Sequence, residues 1–303
     1  MLEILISKKQ NKERIALIEN GNLVEYYEED ENENRKEGNI YKGKIKDIIP
    51  GMQSAFVDIG AERSGFIHIK DILPKVDEKN KTNVEIQETE IRKLVKQNQD
   101  ILVQVKKDSN EKKGARVSTH INLPGKYIVL MPNTNIITVS QKIEKKEEQE
   151  RLINLVKQNI SKQNGAVIRT SAMKKEDEII EELKKLEKKW QKIQEKFNKT
   201  DDKLIYKSET IAEKMILDLI DKGIVRIVTD NKKEYEVMKK IKDETKELSN
   251  TKIEYEETVF ENYELEKQIE KIQNRKIWLK CGGFITIDKT EALTAIDVNT
   301  GKF

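Results

Sequence analysis

Cysteine is almost absent: Cys281 is the single thiol in 303 residues. That excludes an internal disulfide and fits a reducing compartment. Histidine is nearly as rare. His68 and His120 stand in separate strand-like segments without an acidic or cysteine partner at ligand spacing, and suit neither a metal site nor a catalytic triad. No apolar run approaches the length of a membrane span, and nothing reads as a signal peptide. There is no glycine-rich phosphate loop and no Ser-His-Asp grouping. Charge of one sign is missing too: 58 basic against 55 acidic residues leave a net +3. A nucleic-acid partner would have to be held by local patches, not by the field of the whole chain. A soluble, cytoplasmic protein is expected. Aromatics make up only 5%, so each one in an unusual place carries weight.

What is present reads as two or three domains, with 36% hydrophobic residues to build their cores. Leu2 to Ile6 and Arg14 to Ile18 are extended and apolar, and Asn20-Gly21 favours a tight hairpin turn into Leu23 to Tyr27. The polar run Glu28 to Glu37 reads as a linker or loop tip. Short strands follow at Ile40 to Ile48, Met52 to Ile59, Ser64 to Ile69 and Ile101 to Lys106, punctuated by Pro50-Gly51, Gly60 and Gly65. That spacing suggests a small OB-fold barrel, interrupted by a charged, partly helical insertion between Pro74 and Gln99. Phe56 and Phe66 fall at matching positions of neighbouring strands, near a basic loop of Lys106, Lys107, Lys112, Lys113 and Arg116. They are either a base-stacking platform beside a positive groove or ordinary core phenylalanines.

Beyond Leu123-Pro124-Gly125 and Val129, a helical segment covers about Glu144 to Gln158, and Ala166 to Thr170 is strand-like. Arg169 and Thr170 could hold a terminal phosphate, the guanidinium forking onto its oxygens and the hydroxyl donating one bond, backed by N–H groups near a glycine. On the residues alone the pair is a weak signal, and a plain surface arginine is the ordinary reading. From Met173 to Lys199 a long helix places Ile179, Leu183, Leu186, Trp190, Ile193 and Phe197 on one seam. At about three heptads the seam suits packing on its own domain better than a dimerising coiled coil. The pattern then alternates: helix Glu209 to Asp221, strand Ile224 to Thr229, helix Lys233 to Lys246, strand Ile253 to Glu256, helix Val259 to Arg275. This reads as a small α/β domain, with Asp230 at the end of its first strand.

Two last apolar runs, Phe284 to Ile287 and Ala292 to Ile296, each end on an aspartate, Asp288 and Asp297. A carboxylate at a strand end can hold Mg²⁺, and Asn299 shares the strand face of Asp297. An ordinary hairpin with turn-forming aspartates is the alternative.

Four of these segments, in order, resemble the ribonuclease E/G family of bacterial endoribonucleases, which cut single-stranded RNA. They are Gln53 to Phe66, Gly125 to Val129, Arg169-Thr170 and Gly282 to Thr300. The resemblance implies an α+β multidomain fold. An OB-fold RNA-binding barrel (38–120) and a 5′-sensor region (121–204) would be inserted in an RNase-H-like subdomain (1–37 and 205–275). The start of a deoxyribonuclease-I-like catalytic domain (276–303) would follow. It implies that Phe56, Phe66 and Lys113 contact RNA, and that Gly125, Val129, Arg169 and Thr170 sense a 5′-monophosphate. Asp297 would bind the catalytic Mg²⁺ and Asn299 would contact the scissile phosphate, with Asp288 in a secondary role. In the family a second metal-binding aspartate and zinc-linking cysteines lie downstream; neither falls within this sequence. Lys280-Cys281-Gly282 stands where the family more often has Pro-Ser-Gly, and Met173-Lys174-Lys175 replaces a run of small residues.

The function implied is Mg²⁺-dependent, 5′-monophosphate-sensing cleavage of single-stranded RNA such as rRNA precursors and mRNA, by a homo-oligomer in the full-length family. A non-catalytic single-stranded RNA-binding protein is the alternative, because only one metal-binding carboxylate is in hand.

Overall fold

A computed structural model describes residues 1–9, 11–30, 35–72, 90–109, 113–290 and 293–301. Lys112, Ala292 and most of the 74–99 insertion lie outside the described residues. The chain divides into two units, Met1–Asn34 with Leu219–Phe303 and Arg35–Asp218.

The chain opens with a meander, β1 (Leu2–Lys9), β2 (Lys12–Glu19) and β3 (Asn22–Asp30). Asn20 and Gly21 both take positive φ (51° and 81°), the conformation an Asn-Gly hairpin turn requires. β3 runs through Glu28 to Asp30, which the sequence reading gave to a loop. Pairing with β2 holds this acidic end, and Lys12 donates to Glu28 at 2.5 Å.

Five strands of the second unit close into a ring. β4 (Ile40–Ile49) pairs with β5 (Ser54–Asp58), β5 with β6 (Gly65–His68), and β7 (Asp100–Lys107) with both β4 and β8 (Arg116–Ser118), while β6 pairs with β8. Alternate residues point inward, and Ile45, Val57, Ile67, Val103 and Val117 are fully buried in the barrel. A second sheet follows, from β9 (Leu123–Pro124), β10 (Ile128–Met131), β11 (Ile137–Val139) and β12 (Gly165–Ile168), in the order β11-β12-β10-β9. The helices Lys146–Asn159 and Glu176–Lys199 contribute to its core. Ile179, Leu183, Leu186, Trp190 and Ile193 are all buried there, so the heptad seam serves its own domain. The long helix starts at Glu176, not Met173. Thr170–Ala172 forms a tight 3-10 turn, and Lys174 has φ +60°, which an α-helix cannot contain. A short strand that the sequence did not announce, β13 (Leu204–Tyr206), adds to β4.

The chain then returns to its first sheet. β14 (Ile224–Thr229) and β15 (Lys252–Tyr255) lie parallel to β1, giving a mixed sheet β15-β14-β1-β2-β3. The helix Lys232–Glu244 makes the crossover between β14 and β15, and the Asn231 side chain caps it by accepting N–H bonds from Lys233 and Glu234 at 3.0 and 3.1 Å. Asp230 is structural: it accepts from the Ser7 hydroxyl at 2.6 Å and the Lys8 N–H at 2.8 Å, tying β14 to β1. The helix expected over Val259 to Arg275 is two pieces, Val259–Asn262 and Leu265–Gln273, broken at Glu264 with φ +47°. Phe260 and Leu265, flanking the break, are both buried against Leu5, Ala16 and Ile18. A last antiparallel sheet comprises β16 (Lys276–Trp278), β17 (Phe284–Lys289) and β18 (Thr294–Asn299).

Candidate functional site

On the barrel, Phe56 and Phe66 are direct register partners across β5 and β6, with ring centroids 6.2 Å apart in an edge-to-face arrangement. Their neighbours Val57 and Ile67 are fully buried, so the two phenylalanines point to the outer face, where Phe56 is 36% exposed. The reading of both as core residues is therefore excluded. Lys113 lies in the loop that enters β8. The adjacent Gly114 packs on the Ser64 carbonyl with no room for a Cβ, which pins that loop beside the start of β6.

In the second sheet, Val129 of β10 is the register partner of Val167 of β12, and Arg169 continues β12 in extended conformation. Alternation puts Val129 and Arg169 on one face, while Ile128, Leu130 and Ile168 are fully buried on the other. Thr170, half-buried, begins the turn that follows. The guanidinium of Arg169 is not free: it pairs with the Asp218 carboxylate on the helix Ile211–Leu219. Lys214 of that helix lines, with Val129, Gln104, Asn122 and Glu209, a cleft of about 260 Å³.

The surroundings of Gly125 differ from expectation. Its own N–H bonds to the Ile128 carbonyl at 2.8 Å. The next three N–H groups, of Lys126, Tyr127 and Ile128, donate to Glu182 at 2.6, 2.7 and 2.9 Å. The amides that were to back a phosphate receptor are thus engaged inside the protein. Burial pushes the Glu182 carboxyl above its usual range, against the pull of those three donors. A Cβ on Gly125 would sit 2.6 Å from the Glu182 carboxyl carbon, so a larger residue there must displace the carboxylate from its three donors.

In the last sheet, Asp288 and Asp297 lie within β17 and β18, not at their ends, because pairing extends each strand past its aspartate. Register and alternation divide the sheet into two faces. One carries Ile277, Ile285, Ile287, Ile296 and Val298. The other carries Lys276, Trp278, Phe284, Thr286, Asp288, Asp297 and Asn299. Lys276, Thr286 and Asp297 form one row across the three strands, and Trp278, Phe284 and Asn299 form the next. The Lys276 ammonium sits 3.7 Å from the Phe284 ring centre and 4.3 Å from that of Trp278. Asp297 is exposed, and no side-chain hydrogen bond or ion pair engages it among the described residues. Asp288, by contrast, is gripped by Arg275 (Nη2 to Oδ2 2.8 Å), whose guanidinium holds its carboxyl below the usual range. Asn299 accepts from the Gly301 N–H at 2.9 Å, which leaves its amide nitrogen to donate. Lys276 and Trp278 were missed in the sequence, because only strand register brings them beside Asp297 and Asn299. Among the described residues no group of three His, Cys, Asp or Glu side chains could hold a metal, and no helix is long and apolar enough to cross a membrane.

A closed five-stranded barrel of this kind is an OB-type module, and residues 35–120 match the model of the S1 RNA binding domain. Residues 122–303 match that of the Ribonuclease E/G family, and the chain belongs to this family. It is 36% identical over 311 residues to Ribonuclease G of Salmonella typhimurium (strain SL1344), which covers 99% of this chain and 63% of the relative. To Ribonuclease G of Haemophilus influenzae it is 37% identical over 310 residues, 100% of this chain and 63% of the relative. To Ribonuclease E of the same organism it is 34% identical over 309 residues, 100% of this chain and 33% of the relative. The chain thus spans less than two thirds of the length of these relatives.

Proposed function

We propose that this chain serves Mg²⁺-dependent endonucleolytic cleavage of single-stranded RNA, with recognition of a 5′-monophosphate. The observation that carries the reading is the shared face of Asp297 and Asn299 on β18, with the Asp297 carboxylate unengaged among the described residues. One exposed carboxylate with room for water suits Mg²⁺, which takes oxygen ligands and keeps much of its hydration shell. When bound, the ion would supply charge stabilisation at the phosphate oxygens and acidify water. Asp297 would hold it, and the Asn299 amide would donate to the scissile phosphate and fix its orientation. A lone exposed Cys281 does not make a zinc site.

Phe56 and Phe66 would stack bases, with Lys113 on the backbone. Arg169 and Thr170 would hold the 5′-phosphate, with Val129 against the first nucleotide. The engaged amides after Gly125 confine phosphate recognition to these two side chains and give Gly125 a packing role. The mixed sheet β15-β14-β1-β2-β3 supports the RNase-H-like assignment, and β16 to β18 that of a deoxyribonuclease-I-like catalytic sheet. The relatives named Ribonuclease G favour the shorter of the family's two types.

The test is Asp297→Asn in the full protein, assayed on 5′-monophosphorylated single-stranded RNA. Cleavage should vanish while RNA affinity is retained; cleavage at the wild-type rate would overturn the reading. Binding without cleavage by the unmutated full protein would make it a non-catalytic RNA-binding protein.

A further inference from the structure

The phenylalanine pair does not stand alone on its face of the barrel. Phe66 is flanked on one side by Phe56 in β5 and on the other by Arg116 in β8, its register partner across the parallel β6–β8 pairing. Bridge partners point to the same side of a sheet, and the next residues along each strand, Val57, Ile67 and Val117, are all fully buried. Phe56, Phe66 and Arg116 therefore form one outward row. Its far neighbour is Lys107 of β7, exposed and paired with Arg116; its near neighbour is Asp47 of β4, exposed and paired with Phe56. Strands lie about 4.8 Å apart, so the row is a track of aromatics that becomes cationic at one end.

Arg116 is held as a surface side chain seldom is. Its Nε donates to Asp71 Oδ2 at 3.2 Å, and its Nη2 donates to Oδ1 and Oδ2 at 3.2 and 3.0 Å. Asp71 is buried, and its carbonyl accepts from the Thr119 N–H, the Thr119 hydroxyl and the Ser118 hydroxyl, so the anchor is itself fixed to β8 and the residue after it. The guanidinium edge is occupied, yet the Arg116 side chain remains 58% exposed. Among the described residues, what remains open is Nη1 and the flat faces. Partnered with a carboxylate, the group presents a planar surface more than a net charge. Planar guanidinium stacks on bases as aromatic rings do.

We propose that Arg116 is the third rung of a base-stacking track, Phe56–Phe66–Arg116, and that Asp71 is the positioning residue that holds it flat. The inference rests on the reading of the barrel as the RNA-binding surface. It extends the bound strand one base beyond the phenylalanine pair, toward β7.

The experiment measures binding of a short 5′-hydroxyl single-stranded RNA to the full protein by fluorescence anisotropy over a range of salt. The 5′-hydroxyl removes any contribution of a terminal phosphate. Arg116→Ala is expected to weaken binding about five- to tenfold, the lower end for loss of one stacked base. The dependence of affinity on salt should stay that of the wild type, since a stacking contact releases no counterion. Arg116→Lys, which keeps charge but loses the plane, should not restore affinity. Asp71→Asn should weaken binding alone yet add nothing in the Arg116→Ala background, the sign that it acts through Arg116. That double variant leaves no unpaired buried carboxylate, so it keeps the measurement valid if Arg116→Ala folds poorly. Wild-type affinity of the Arg116 variants while Phe56→Ala and Phe66→Ala weaken binding would overturn the third rung alone. Rescue by lysine, or a shallower salt dependence, would make Arg116 a phosphate contact and overturn stacking. Wild-type affinity in all variants, including both phenylalanine ones, would overturn the barrel reading itself.

Discussion

Arg169 and Asp218 form an ion pair between the end of β12 and the helix Ile211–Leu219, 49 residues apart in sequence. An internal carboxylate thus occupies the guanidinium that a 5′-phosphate would need. The pair is partly exposed, Arg169 at 30% and Asp218 at 58% of their side-chain surface. Exposed pairs are worth about 0–1 kcal/mol, so a phosphate, which an arginine fork binds more strongly, can displace it.

Two variants read this competition in opposite directions. Arg169→Ala is expected to erase any preference for 5′-monophosphate over 5′-hydroxyl RNA. Asp218→Asn is expected to raise the preference by up to about fivefold, the most an exposed pair of this kind withholds. Binding of matched RNAs differing only at the 5′ end checks both. A preference that survives Arg169→Ala would remove that residue from the sensor.

Glu182 and Gly125 form a unit of packing and hydrogen bonding, and their variants should be non-additive. Glu182→Ala strands three backbone donors and should cost about 1–3 kcal/mol. Gly125→Ala drives a methyl against the same carboxylate and should also destabilise. Combined, the alanine at 125 should add little, because the space has been cleared. Urea unfolding of the four proteins in the cycle gives the answer, and full additivity would contradict the geometry.

Trp190 is buried at 5% exposure in the core beneath the second sheet. Trp190→Ala should lower stability by about 3–5 kcal/mol, as large-to-small changes in a core do. Its sedimentation should match that of the wild type, since the seam is spent within one chain. A change of oligomeric state in this variant would reinstate the coiled coil.

Asp58 accepts the Gly60 N–H at 2.9 Å, and that bond, aided by Lys203 at 3.4 Å, holds its carboxyl below the usual range. A depressed folded-state pKa stabilises above the unfolded value, near 3.9, and the contribution fades as pH falls through the folded value. The stability gap between wild type and Asp58→Asn should therefore be constant from neutrality to about pH 5 and close below about pH 4. Unfolding midpoints across that range test it; a gap that widens in acid would contradict the assignment.

The sequence disclosed what local chemistry dictates. Asn20-Gly21 announced its hairpin, short strands punctuated by Pro50-Gly51, Gly60 and Gly65 announced the barrel, and the spacing of Ile179 to Ile193 announced the long helix. Where the deciding contact lies far along the chain, the sequence was silent. β13 exists because residues 204–206 pair with β4, and nothing local marks them. Glu264 breaks a helical pattern that tertiary burial of Phe260 and Leu265 overrides. At the candidate sites, Asn299 could be placed beside Asp297 by period alone. Asp71, Asp218 and Lys276 could not, since their partners Arg116 and Arg169 and their neighbour Asp297 are reached only through sheet register or helix packing.

The pairing of β1 with β14 has a consequence in time. Ile4 and Ile6 are fully buried in the finished sheet, but Ile224, the first residue of the strand that flanks them, is made more than two hundred residues later. At roughly 5–20 residues per second a ribosome needs tens of seconds to reach it. Throughout that interval the meander β1 to β3 stands without its parallel partner while the barrel can already close. The sheet that this meander begins is thus completed only after every strand of the barrel has been made. Its half-made apolar surface is what a chaperone would meet on the nascent chain.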